Sequence, residues 1–127
     1  MGHGVEGRTP PARLDPAAAT AVASTLQALA TPSRLLILAR LREGPVAVGE
    51  LAEAVGLGQS AVSHQLRLLR ALGLVVGERS GRTIVYSLFD NHVAQLLDEA
   101  VYHVEHLRLG KRDVPSEAAQ EVGALTP

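Results

Sequence analysis

Cysteine is absent, which excludes disulfides, thiolate metal sites and thiol redox chemistry together. Aromatic residues make up only 2% of the chain while hydrophobic residues make up 46%, so the core must be built from Leu, Val and Ala, a composition that points to packed helices. No apolar run approaches the roughly 20 residues of a membrane span, and the opening MGHGVEGR lacks the apolar centre of a signal peptide; a cytoplasmic protein is expected. Internal repeats and low-complexity blocks are also missing. What remains is 127 residues, enough for one domain with a modest core.

An excess of either charge is lacking too, since the net charge is −1, but the charges are segregated. Residues 31–88 hold seven Arg against four Glu, residues 89–127 hold three basic against seven acidic side chains, and residues 1–30 balance. A basic middle and an acidic end imply separate work: the first suits phosphates, the second cations.

Residues 1–14 carry Gly2, Gly4, Gly7, Pro10 and Pro11 and read as a flexible arm. Gly2 is small enough to permit removal of the initiator Met. The freed amine, the next amide and the His3 imidazole then form a chelating set for nickel or copper, which makes Gly2 and His3 candidate additional ligands. Asp15-Pro16 is a helix start, continued to Leu29 with Val22, Leu26 and Leu29 in register. Thr31-Pro32 repeats the signal, and Ser33 to Arg42 is apolar over so much of its girth that it is expected at the centre of the fold.

Two helices follow, Gly49 to Val55 and Gln59 or Ser60 to Leu72, separated by a Gly-containing turn; this is the helix-turn-helix layout. In the second helix Val62, Leu66 and Leu69 point inward. Gln59, Ser60, Ser63, His64, Gln65, Arg67 and Arg70 remain for the other sides, where Arg bonds guanine edges or phosphates and Ser, Gln and His offer hydrogen bonds to bases. By periodicity alone an ordinary solvated face explains them as well. Leu74 to Val76 and Thr83 to Leu88 then read as strands joined through Arg79-Ser80-Gly81-Arg82, a hairpin whose tip carries Arg79 and Arg82. A helix-turn-helix followed by a basic hairpin is a winged helix, mainly α with a small β-hairpin, and its arginines suit backbone phosphates.

The last helix, Asp90 to Leu109, holds three of the five histidines. At about 100° per residue, His92, His103 and His106 share a face, but His92 and His103 stand roughly 16 Å apart along the axis. One ion cannot join both ends of one helix. Two antiparallel copies, packed through Val93, Leu96, Leu97, Ala100, Val101, Val104 and Leu107, bring Asp90 and His92 of one chain level with His103 and His106 of the other, giving two sites per homodimer. Asp90 serves as N-cap and so is able to turn inward. Imidazole and carboxylate suit zinc, nickel or cobalt. The competing reading is that these histidines are solvated and Asp90 only caps. Residues 110–127 read as a disordered tail.

The stretches GQSAVSHQLRLLRALGLV and GERSGRTIVYSL, together with Asp-x-His, ten residues and His-x-x-His in the last helix, resemble the ArsR/SmtB family of metal-responsive repressors over residues 15–109. The start GHGVEGR, STLQALATPSRL and HVAQLLDEA are similar to its nickel- and cobalt-sensing branch. The resemblance implies a winged-helix homodimer joined through its first and last helices. It implies an apo dimer on inverted-repeat operator DNA, released when Ni(II) or Co(II) binds Asp90, His92, His103 and His106, so that a metal-efflux gene is derepressed. The DNA roles fall on the helix Gln59 to Arg70 and on the wing. Residues 107–127 contain no His where nickel sensors carry more, and a four-ligand set suits Zn(II), so a zinc-responsive repressor is the alternative, with a metal-independent winged-helix regulator behind it. A metal-dependent hydrolase needs an open coordination position in a cleft with a base nearby. Donors at a helix seam, without nucleophile or phosphate-binding loop, do not provide one, and no enzyme is expected.

Overall fold

The computed structural model describes residues 13–110. Within them lie five helices and three strands: α1 (Pro16–Ala28), α2 (Pro32–Arg42), β1 (Val46–Ala47), α3 (Val48–Val55), α4 (Gln59–Ala71), β2 (Val75–Ser80), β3 (Thr83–Leu88) and α5 (Asn91–Leu109). Of the arm expected over residues 1–14, residues 1–12, with Gly2 and His3, lie outside the described residues, as does the expected tail from residue 111 onward.

Each of the N-caps anticipated from sequence makes its bond. Asp15 accepts from the amide of Ala18 at 2.8 Å, Thr31 from that of Arg34 at 3.2 Å, and Asp90 from those of His92 and Val93. Between α3 and α4 the chain reverses at Gly56, whose φ of 73° closes α3 in a left-handed cap. A side chain there would be strained, so the glycine fixes the tight turn between the two helices. The core is aliphatic, as the scarcity of aromatics requires: Ile37, Leu38, Leu51, Val62, Leu66, Leu69 and Val75 are fully buried.

The sheet departs from expectation. It has three antiparallel strands in the order β1-β3-β2, because Val46 and Ala47 pair with Tyr86 and Val85. The outer strand β2 runs on to Ser80, which pairs with Thr83 and leaves Gly81 and Arg82 as the turn. Arg79 therefore stands in the strand opposite Ile84, one pair below the tip, while Arg82 is in the turn itself.

A second departure concerns α2. Ile37, Leu38 and Leu41 face the core, but Leu35 and Leu36 remain 41% and 53% exposed, so α2 borders the protomer on one flank and is not enclosed by it. Beside them the second half of α5 stands away from the core, leaving an apolar groove of about 530 Å³ between Leu35, Leu36, Val101 and Val104. Of helix α1 only Ala28 is buried, against the core. A 13-residue helix with so little support is marginal in water. No single helix among the described residues is long and apolar enough to cross a membrane.

Arg42 at the end of α2 holds α5 at its middle, donating from Nε and a terminal nitrogen to the two carboxylate oxygens of Asp98 at 3.2 and 3.0 Å. The hydrogen bonds and positive charge of Arg42 hold the Asp98 carboxyl below its ordinary range despite some desolvation. Because the folded-state value is the lower one, the pair's stabilisation is present above the ordinary aspartate range and is lost as pH falls through the folded value. Both partners are exposed, so the contribution is small. Asp98→Asn is expected to lower the thermal midpoint slightly near neutral pH, with the gap to the parent closing as pH falls below the ordinary aspartate range. A constant gap across that range would show that the ion pair stabilises nothing.

Candidate functional site

The α3–turn–α4 unit presents α4 outward because only one of its sides is apolar. Val62, Leu66 and Leu69 are buried, whereas Ser60, His64, Arg67 and Arg70 are exposed and Ser63 is half-buried. The i, i+4, i+7 spacing puts Ser60, His64 and Arg67 in one row. Gln59 opens the helix with its amide nitrogen over α3, so near Gly49 that a Cβ there would lie 2.9 Å away. Gln65 is turned from that row: its Oε1 accepts from Nε of Arg34 at 2.7 Å. Beyond α4, Arg79 and Arg82 are exposed near the tip of the β2–β3 hairpin. Among the described residues, none of the guanidiniums of Arg67, Arg70, Arg79 and Arg82 has a protein acceptor, in contrast to Arg34 and Arg42. Four cations on one winged unit, uncommitted among the described residues, form a surface suited to phosphate and base edges.

The nitrogen and oxygen donors of α5 fall into two pairs at its two ends. At the first end, the N-cap geometry of Asp90 spends Oδ1 on the amides of His92 and Val93, and its Oδ2 lies 3.3 Å from Nδ1 of His92. Local backbone geometry thus brings carboxylate and imidazole together, as the capping argument requires. At the other end His103 and His106 are one turn apart, the first exposed and the second half-buried. Among the described residues of a single chain, no three metal-ligating side chains converge. Each pair offers donors chemically suited to a borderline cation, though two donors fall short of the four such an ion usually takes. Between the pairs runs the apolar face, with Leu96, Val101, Val104 and Leu107 all exposed.

Arg34 was not anticipated from sequence. It has no spacing signal, because its partner Gln65 is 31 residues further on and the two meet only through tertiary packing.

Comparison with known proteins bears on both surfaces. Residues 31–76 match the model of the bacterial regulatory protein, arsR family, helix-turn-helix. The HTH-type transcriptional regulator NmtR of Mycobacterium tuberculosis is 73% identical over 114 residues, covering 89% of this chain and 95% of that one. The chain belongs to the ArsR family. The solution structure of apo-NmtR superimposes on this ArsR-family chain with a TM-score of 0.67 at 71% identity, covering 90% of this chain and 97% of the other. A homodimeric winged helix-turn-helix domain from Mycobacterium bovis, Mb0332, gives a TM-score of 0.70 at 29% identity, covering 84% and 100% respectively. The HTH-type transcriptional repressor SmtB of Mycobacterium tuberculosis is 45% identical over 83 residues, 65% of this chain and 62% of that one. As an ArsR-family member the protein is a DNA-binding transcriptional regulator with a winged helix-turn-helix and is not an enzyme.

Proposed function

We propose that this regulator is a metal-sensing repressor, acting in the cytoplasm, whose apo homodimer binds an inverted-repeat operator and is released by Ni(II) or Co(II), derepressing a metal-efflux gene. The observation that carries the reading is the division of donors on α5, with Asp90 and His92 at one end, His103 and His106 at the other, and an exposed apolar face between them. Antiparallel pairing of two such helices covers that face and completes two four-donor sets, each from Asp90 and His92 of one subunit and His103 and His106 of the partner subunit. The resulting dimer is closed and twofold, matching an inverted-repeat target.

A bound ion supplies a fixed link between subunits. The α5 donors drawn onto it set the angle between protomers and hence the distance between two α4 helices, which must meet half-sites about 34 Å apart. Linkage requires DNA to weaken metal by the factor with which metal weakens DNA. Gly2 and His3 would raise the donor number toward the six that nickel and cobalt favour; without them the four-donor set suits Zn(II), which is the second reading.

The test is titration of nickel, cobalt and zinc into the protein bound to an operator duplex selected from randomised DNA. The expected result is a loss of operator affinity of about 5- to 150-fold with at least one of the three. If all three leave the affinity unchanged, the protein is a winged-helix regulator without a metal switch.

A further inference from the structure

The recognition helix α4 is held by more than its apolar side. Arg34, in the first turn of α2, donates from Nε to Oε1 of Gln65 at 2.7 Å and from a terminal nitrogen to the carbonyl oxygen of Ala28 at 3.2 Å. Ala28 is the last residue of α1, where helix carbonyls lack partners and a positive charge is favoured. One half-buried guanidinium therefore joins the end of α1, the start of α2 and the middle of α4. The donors of a guanidinium are planar and set at fixed angles, so the two acceptors are held in a fixed relation; a lysine has no such fork. Having no acceptor, Arg34 also selects the oxygen of the Gln65 amide.

We infer that Arg34 and Gln65 are positioning residues for DNA recognition: their bond sets the angle between α1 and α4, and Gln65 serves this geometry in place of reading a base. The inference rests on the dimer reading above, because an angle fixed to α1 determines the separation of two recognition helices only if α1 lies at the dimer interface. In one protomer α1 makes little other contact with its own chain, so a small change at this fork is not corrected elsewhere.

The test is a double-mutant cycle on operator affinity with metal-free full-length protein, using Arg34→Lys, Gln65→Met and both. Each single variant is expected to bind about tenfold more weakly, and the double variant no more weakly than the weaker single. The salt dependence should keep its slope, since no phosphate contact is removed. Two results would overturn the inference: unchanged affinity, or losses that multiply to about a hundredfold in the double variant. Should Arg34→Lys fail to fold by circular dichroism, Gln65→Met decides alone, with a tenfold loss that keeps the parent's discrimination at every operator base pair in favour, and unchanged affinity or discrimination relaxed at one base pair against. Sedimentation of the parent keeps the two readings apart. A monomeric parent defeats the dimer reading itself, whereas a dimer with multiplying losses defeats only the role of the fork.

Discussion

His103→Ala is expected to abolish the response to metal while leaving operator affinity within about twofold of the parent. The expectation follows from where His103 stands. It is exposed on the last part of α5, beyond the segment that packs into the core, and the groove beside it opens onto α2 and not onto α4. Its loss creates no cavity and leaves no buried polar group unpaired, so neither the stability of the winged unit nor its DNA surface has cause to change. Metal affinity has every cause to change. In the proposed site His103 is one of four donors; groups that only orient a metal ligand are worth about 10- to 100-fold, and a donor itself is worth more.

Arg67→Ala is the counterpart. It removes a cation from the exposed row of α4 without touching α5, and should weaken operator binding and lower the salt slope by about 0.9 while metal affinity stays as it was. Anisotropy titrations for DNA and competition titrations for metal, run on both variants, check the pair. Comparable loss of both ligands in either variant would contradict the separation of sensing from recognition.

The helical part of this architecture is legible in the sequence because caps and stops are local. Asp15, Thr31 and Asp90 each bond an amide two or three residues on, and Gly56, Gly73 and Gly110 each take a positive φ just past a helix end. The inward row of α4 is local as well. What escaped is non-local. Strand β1 has only two residues, too few for an alternation to be read, and exists because β3 offers it an edge. The far end of β2, Gly77 to Ser80, is polar because it is the outer strand of the sheet, extending where no core demands apolar residues. Arg34 meets Gln65 across 31 residues and Arg42 meets Asp98 across 56, and neither residue carries a mark of its partner. Leu35 and Leu36 pose a different problem. Apolar composition states that a surface is to be covered but not whether by its own chain or by another, and so α2 was expected to be enclosed. On α5 the grouping of donors by face is legible from 100° steps, and the pairing of Asp90 with His92 from capping.

The proposed second chain is tested most severely by Val104→Glu. In the isolated protomer Val104 is 61% exposed, so a glutamate there meets water and should leave the fold and its far-UV spectrum intact. In a twofold dimer packed through α5 the same residue enters twice, in an apolar seam that already has Glu105 along its border. Removing each unpaired carboxylate from water costs several kcal/mol, so the dimerisation constant should weaken by about a thousandfold or more. Sedimentation at concentrations where the parent is dimeric should then show a folded monomer. Operator affinity and stoichiometric metal binding should fall together, since the paired half-sites and the shared metal donors both vanish with the seam. This joint loss is what separates Val104→Glu from His103→Ala, in which metal alone is lost. A Val104→Glu protein that remains dimeric, with both affinities unchanged, would place the subunit contact elsewhere than on α5, and the two donor pairs would have no means of meeting.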